Sequence, residues 1–461
     1  MDTAVTTVQG IGAGGRVLLL PFPGMQGHAN PMLQLGRRLA YHGLRPTLVL
    51  TRHVLSTTPT STQCPFPLAA ISDGFDAGGI ASCADTAEYL RRMEAAGSDT
   101  LARLLLLATA DNEPVRVLVY DSHLPWARRV ASEAGVAAAA FFTQMCAVDV
   151  VYGEVSAGRV ALPLADGSAL RGRLSVELGP NDVPPFVAAP EWYPAFTDSA
   201  LSQFDGLEQA DHVLVNSFRD LEPLEADYME SKWGAKTVGP TLPSFYLADD
   251  RLSSNKTYGF NLVSSTAPCM AWLDKQAPCS VLLASYGTVA NLDTTQLEEL
   301  GYGLCYSGQP FLWVLRSSEA DKLPQELHDK CNLKGLIVPF CPQLEVLAHT
   351  ATGCFLTHCG WNSTTEAIAT GVPMITIPQW ADQPTAAKYV ESVWRIGLRA
   401  RRDEKGLVRR EEVERCIKEV MGGKEYMRNA SKWMQKAKEA MQEGGSSDNN
   451  IADFAAKYLS N

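Results

Sequence analysis

Short apolar runs alternate along the chain with longer stretches of helical period. Arg16–Phe22, Pro46–Thr51, Val115–Tyr120 and His212–Asn216 read as buried strands in the first half. Ser280–Tyr286, Pro310–Leu315, Gly335–Phe340, Gly353–Thr357 and Val372–Ile377 do so in the second. Strands apolar on both faces and interleaved with helices predict parallel, doubly wound sheets. Residues 241–266 interrupt the pattern, and Leu247 to Ser265 is polar. A linker over 246–265 therefore separates a first domain, 1–245, from a second, 266–445, and a last helix occupies 446–461. The expectation is an α/β chain of two Rossmann-like domains facing a central cleft, with ligands outside the carboxyl ends of the strands. From Val408 onward, Val413, Ile417, Val420, Tyr426, Ala430, Trp433, Ala437 and Met441 follow a helical period.

Composition narrows the class. The chain has 461 residues, 46% of them hydrophobic and 20% charged, enough for real cores and unlike a disordered or fibrous chain. Its net charge is −11, the wrong sign for bulk electrostatic binding of nucleic acid or an anionic membrane surface. Eleven cysteines without regular spacing read as reduced thiols. No signal peptide is visible, and the apolar stretch Val136 to Val151 is broken by Thr143, Gln144 and Asp149. A cytoplasmic monomer without membrane insertion is expected.

Two decoys fall away. Gly10-x-Gly12-x-x-Gly15 matches a dinucleotide fingerprint, but it precedes the first strand instead of following one. Cys354, His358 and Cys359 lack a fourth zinc ligand at suitable spacing.

Two constellations carry chemistry. After the first strand comes Gly24-Met25-Gln26-Gly27-His28-Ala29-Asn30-Pro31. Asn30 suits an N-cap and Pro31 a first helical residue, which leaves His28 in the turn at the strand's carboxyl end. Asp121 ends another buried strand. A carboxylate beside an imidazole fixes its tautomer and favours its protonated form, as a general base requires. His28 could instead only cap its turn, and Asp121 could cap the next helix. The second constellation follows Gly353–Thr357: His358-Cys359-Gly360-Trp361-Asn362-Ser363 opens a short helix closed by Gly371. Small polar residues at a helix start present free N–H groups and the positive dipole end to a phosphate. Ser363-x-x-Glu366 also reads as a plain capping box. Gln379-Trp380-Ala381-Asp382-Gln383 suits recognition of sugar hydroxyls, and the turn Ser285-Tyr286-Gly287-Thr288 could add phosphate contacts.

Together the residues from Phe340 to Gln383 closely resemble the signature box of plant family 1 UDP-glycosyltransferases, in spacing and order. Gly27-His28 and Asp121 fall where that family keeps its catalytic pair. The resemblance covers the chain from Arg16 onward and is greatest to cereal glucosyltransferases that conjugate trichothecenes such as deoxynivalenol. It implies a GT-B fold, with the donor bound by the second domain, the acceptor by the first, and the last helix packed back on the first. Phe340, where most members have Trp, would stack on uracil. Cys341 would bind uracil through its backbone, and Gln343 and Glu366 would hold the ribose. His358, Gly360, Asn362 and Ser363 would meet the diphosphate, with Ser285 and Thr288 assisting. Trp361, Asp382 and Gln383 would bind the hexose, with Thr143 near the sugar. Gln383 at the last position of the box points to UDP-glucose. The acceptor pocket is expected near Met25, Phe142, Gln144, Gln379 and Trp380, drawing on Phe142 to Asp149 and Asn181 to Ser202.

The implied reaction is inverting transfer of glucose to a hydroxyl, with His28 as base and Asp121 assisting. UDP-glucose is a co-substrate; no cofactor and no metal are expected, because no Asp-x-Asp motif stands near this site. Two other readings share the fold: a non-catalytic sugar-nucleotide-binding protein and an NDP-sugar epimerase.

Overall fold

The structure is a computed structural model that describes residues 14–58, 64–259, 268–287 and 292–459. The chain divides into two compact units. The first comprises Met1–Arg159, Tyr193–Leu262 and Ala440–Asn461; the second comprises Val160–Trp192 and Val263–Glu439.

This partition differs from the sequence expectation in three places, the smallest being 440–445, which joins the first unit instead of the second. The segment Val160–Trp192 belongs to the second unit. Asp182 ties it there, because Arg399 donates to its carboxylate at 2.6 Å and Thr385 Oγ1 donates to its carbonyl at 2.7 Å. The described part of the expected linker belongs to the first unit and is built into it. Asp249 and Asn255 are buried, and Asn255 Nδ2 donates to Gln34 Oε1 at 2.7 Å. Polar composition marked this stretch as a linker, whereas its polar groups are the ones that bind it down.

Among the described residues the first unit holds a seven-stranded parallel sheet. Its strands are β1 (Arg16–Leu20), β2 (Arg45–Thr51), β3 (Leu68–Ile71), β4 (Val115–Asp121), β5 (Ala137–Phe142), β6 (His212–Val215) and β7 (Ala235–Thr237), in the order β3-β2-β1-β4-β5-β6-β7. The second unit holds β8 (Val281–Ser285), β9 (Phe311–Val314), β10 (Gly335–Val338), β11 (Thr352–Thr357), β12 (Met374–Thr376) and β13 (Gly397–Arg399), in the order β10-β9-β8-β11-β12-β13. Each is the doubly wound order that changes direction between its first and fourth strands. The central strands are apolar on both faces because helices cover both. Leu18, Val119, Phe141, Leu283 and Phe355 have no exposed surface.

A buried ionic network holds the first unit together. Arg38 Nη1 donates to Asp249 Oδ2 at 3.1 Å and to the Met441 carbonyl at 3.0 Å. Arg251 donates to Asp249 at 2.9 Å and to Asp448 at 2.8 Å. These contacts join the helix Gln26–Tyr41, the 249–251 turn and the C-terminal helix Ser446–Ala456. Ser447 Oγ and Asn450 Nδ2 also donate to the carbonyls of Gly239 and Thr237. Removing one partner from a buried ion pair leaves an uncompensated charge, at a cost of ~3–5 kcal/mol. Asp249→Ala should therefore destabilise the protein by about 3 kcal/mol in urea unfolding; a loss below about 1 kcal/mol would contradict the network's role.

Candidate active site

In the first sheet the direction change lies between β1 and β4, which pair in register from Val17↔Val117 to Leu20↔Tyr120. Connections leaving such a pair diverge and open a crevice at the strand ends. The helix after β1 starts at Gln26, with Met25 as N-cap and Pro31 inside the helix. The helix thus starts five residues before Pro31, the first helical residue that the Asn30–Pro31 signal suggested, and His28 stands in its first turn.

His28 Nδ1 lies 2.7 Å from Asp121 Oδ2 and 3.3 Å from Thr143 Oγ1. The Asp121 side chain is fully buried, while His28 keeps 20% of its side-chain surface. Burial would push the Asp121 carboxyl up, but His28 and the N–H of His123 outweigh it and hold it below its ordinary value. An ionised Asp121 can only accept. The proton therefore sits on His28 Nδ1, and Nε2 is left with its basic lone pair. The next helix, Trp126–Glu133, has Pro125 as N-cap and no side-chain cap bond. Asp121 therefore does not cap it.

Sequence reading missed His123. Its backbone N–H donates to Asp121 Oδ1 at 3.1 Å, its Nδ1 is 3.1 Å from Ser199 Oγ, and Gln144 Nε2 is 3.4 Å from its Nε2. Its ring meets those of His28 and Phe22 at centroid distances of 5.7 and 6.2 Å. Burial pushes the His123 imidazole down to about 4, against the pull of Asp121. A polar Asp121-Ser122-His123 run at a buried strand end was the available signal. Ser122 Oγ also donates to Gln203 Oε1 at 2.7 Å. A cavity of ≈ 380 Å³ opens in this unit, with His123, Ser199, Ser202, Trp126, Met93 and Leu90 in its wall.

In the second sheet the direction change lies between β8 and β11, paired through Thr357↔Ser285. Beyond these ends, Gly287 (φ +70°) and His358 lie together: a Cβ on Gly287 would come within 2.8 Å of the imidazole. Burial pushes His358 down to about 4, so the ring is neutral. Its Nδ1 is buried and has no hydrogen-bond partner among the described residues. The following helix, Trp361–Thr370, has Gly360 as N-cap. Ser363 is therefore the third helical residue, and the expected capping box does not form. Instead Gln343 Nε2 donates to Ser363 Oγ at 3.0 Å and to Glu366 Oε2 at 2.7 Å, which gathers three of the predicted residues. Asp382 Oδ2 accepts from the Trp361 N–H at 3.2 Å. Gln383 Oε1 accepts from the N–H groups of Gln379 and Trp380 at 2.9 and 3.2 Å. Phe340 is half-buried, and Cys341 is buried with its thiol pushed up by that burial.

Two acceptor-side expectations need correction, Phe142 and part of the stretch Asn181 to Ser202. Phe142 is fully buried against Phe204, 5.4 Å between centroids, and belongs to the core. Of the stretch Asn181 to Ser202, only Tyr193 onward lies in the first unit. Gln379 and Trp380 lie in the second unit, where Trp380 packs edge-on to Phe186 at 5.7 Å. Met25 is the half-buried N-cap of the His28 helix. Thr288 and the Gly10–Gly12 tail lie outside the described residues.

Two doubly wound parallel sheets, each with a polar constellation at its direction change, are the arrangement of a GT-B fold. Comparison with known proteins sharpens this. Residues 265–438 match the family described as UDP-glucoronosyl and UDP-glucosyl transferase. The chain is 65% identical to UDP-glucosyltransferase UGT13248 of Hordeum vulgare, over 100% of both chains. It resembles the crystal structure of Os79 from Oryza sativa in complex with UDP, with TM-score 0.93 and 66% identity, covering 96% of this chain and 100% of that one. Os79 has also been solved with UDP and deoxynivalenol-3-glucoside, at TM-score 0.89, 64% identity and the same coverage. The chain belongs to the UDP-glycosyltransferase family and is an enzyme of that class. Among the described residues no helix is long and apolar enough to cross a membrane.

His123, His358 and also His212 are pushed down to about 4, chiefly by burial. A histidine whose folded value is depressed binds its proton first in the unfolded state, so its contribution is present above about 6.5 and lost as pH falls toward 4. Unfolding free energy measured in urea should therefore drop between pH 7 and pH 4.5; a flat profile would contradict neutral burial of these rings.

Proposed function

We propose that this enzyme is an inverting UDP-glucose-dependent glucosyltransferase that forms a β-O-glucoside on a hydroxyl of a small lipophilic acceptor, with trichothecenes among its acceptors. The observation that carries this reading is the 2.7 Å contact between His28 Nδ1 and the buried Asp121 carboxylate. His28 Nε2 takes the proton of the acceptor hydroxyl. Asp121 stabilises the imidazolium that results. The acceptor oxygen forms a bond to the anomeric carbon on the face opposite UDP. The bond from that carbon to the β-phosphate oxygen breaks, and UDP leaves with the electron pair. An α-linked donor thus gives a β-glucoside.

The second unit holds the donor. Phe340 offers its ring to uracil, Cys341 its backbone, and Gln343 and Glu366 bind the ribose. The start of the helix Trp361–Thr370, with Gly360, Asn362 and Ser363, meets the diphosphate through N–H groups and the helix dipole. Ser285 and Thr288 assist. His358 contributes as a neutral donor, since burial holds it uncharged. Trp361, Asp382 and Gln383 contact the hexose. Gln383 Oε1 is engaged by the turn at Gln379 and Trp380, so its Nε2 is the group that meets a sugar hydroxyl. Thr143 lies beside His28; we assign it to the sugar side of that pair.

The cavity bordered by His123 supports a compact acceptor, since ≈ 380 Å³ falls in the size range of small-molecule sites. Its wall mixes apolar Leu90, Met93 and Trp126 with hydroxyls of Ser199 and Ser202 and with charged Glu94, Arg128, Arg129, Asp198 and Asp205, so polar groups of an acceptor would find partners there. The Os79 complex with deoxynivalenol-3-glucoside supports trichothecenes in particular. Catalysis is proposed to be metal-independent, carried out by a soluble cytoplasmic monomer.

Removal of a general base costs roughly 10²–10⁴ in rate. His28→Ala should lower transfer of glucose to deoxynivalenol by at least that order while UDP still binds by calorimetry; near wild-type turnover would remove His28 as the base. Asp382→Ala and Gln383→Ala should raise KM for UDP-glucose more than Kd for UDP, and equal losses would contradict their place at the hexose. Activity should persist in EDTA. Loss in EDTA with recovery on adding Mg²⁺ would overturn metal independence.

A further inference from the structure

The helix Cys146–Ser156 begins three residues after Thr143 and has no local cap, because Met145 precedes it and makes no side-chain cap bond. Its first two N–H groups are served from 76 and 75 residues away. Cys146 N–H donates to Glu222 Oε2 at 3.1 Å, and Ala147 N–H donates to Glu222 Oε1 at 2.9 Å. Ser217 Oγ donates to the same Oε2 at 2.6 Å. Glu222 has no exposed surface. A second link ties the same two segments: Asn216 N–H donates to the Phe142 carbonyl at 2.9 Å, one residue before Thr143. Thr143 Oγ1 in turn lies 3.3 Å from His28 Nδ1.

We propose that Glu222 is a positioning residue for glucosyl transfer: its carboxylate fixes the start of the helix Cys146–Ser156 and so holds Thr143 on the Nδ1 side of His28. This rests on the reading of His28 as the base. An imidazole held on one nitrogen by Asp121 alone can rotate about that bond; a second oxygen beside Nδ1 restricts the ring and aims Nε2. A carboxylate does this best when ionised, since both oxygens then accept and the helix dipole favours the negative charge.

The same burial makes this support sensitive to pH. Burial, then the neighbouring Glu225, push the Glu222 carboxyl up to about 7, against the hydrogen bonds from Ser217, Ala147 and Cys146. The groups facing it are Cys146 and Ala147 on its capped helix, Ser217 before it, and Glu225 on the helix Pro223–Trp233, and Asp149 acts on the neighbouring Cys146. Burial, Glu222, Asp149 and Glu225 push the Cys146 thiol well above its ordinary value, so it stays neutral. Glu222 therefore changes state near pH 7. Because its folded value is raised, its contribution to stability is present below about 4.5 and lost as pH rises through 7. The ionised form thus costs stability while it provides the cap, and a purely structural role would favour the neutral acid.

Glu222→Gln mimics the protonated state and separates the two roles. Loss of one capping interaction, when it is felt in the transition state, corresponds to about tenfold in rate. With UDP-glucose and deoxynivalenol, wild type should exceed Glu222→Gln in kcat by about tenfold at pH 8.5 and by less than about twofold at pH 5.5. KM for UDP-glucose should stay within about twofold, and Glu222→Asp, which keeps the charge, should recover part of the loss at pH 8.5. The backbone amide resonances of Cys146 and Ala147 should titrate with a midpoint near 7 in wild type and not in the Gln variant. A kcat ratio that does not vary with pH, or amide resonances that do not titrate, would overturn the role of Glu222 alone. No turnover by the wild-type enzyme would overturn the reaction on which the role rests.

Discussion

The His28–Asp121 pair and the start of the helix Trp361–Thr370 depend on one constraint of doubly wound parallel sheets: two neighbouring strands send their connections to opposite faces. At that point no connection covers the strand ends, and side chains placed there can reach a ligand. In the first unit the pair is β1 and β4, and it presents His28 and Asp121. In the second unit it is β8 and β11, and it brings Gly287 against His358 at the start of a helix. The chemistry is therefore concentrated where the topology leaves room.

Electrostatics follows from burial more than from net charge. The chain carries −11 overall, yet a nucleoside diphosphate is its proposed donor. From Phe340 to Gln383 there is no Lys or Arg. The one buried imidazole beside the helix start, His358, is itself held neutral. Backbone N–H groups, a helix dipole and the neutral His358 ring are left to meet the phosphates. Such dipoles are fixed before the ligand arrives and need no reorganisation as charge builds on the leaving group. The same principle recurs in the first unit with the sign reversed: buried Asp121 stays ionised because His28 and a backbone N–H face it.

Much of this was legible in the sequence. Continuous apolar runs located nine strands, among them all four at the two direction changes. His28 and Asp121 were readable because each stands at the end of such a run. Other features were hidden for physical reasons. β5 opens with Ala137–Ala140, whose small side chains carry little strand signal. β7 and β13 have three residues each, too few to show a period. Asn30-Pro31 looked like a helix start because it has good capping chemistry, but the helix begins at Gln26, where backbone geometry admits it. Polar composition suggested a linker over 246–265, although Asp249 and Asn255 within it bond buried groups of other elements. His123 and Glu222 gave no periodic signal, since their partners lie far off in sequence.

The central claim is that an ionised, buried Asp121 keeps the proton of His28 on Nδ1 and leaves Nε2 as the base. Asp121→Asn tests it most directly, because the carboxamide keeps the shape and can donate to Nδ1, which turns the imidazole to the wrong tautomer. The measurement is the single-turnover rate of glucosyl transfer at saturating UDP-glucose. The predicted result is a fall of roughly 10³–10⁴ with UDP affinity unchanged. A rate within about threefold of wild type would contradict the account.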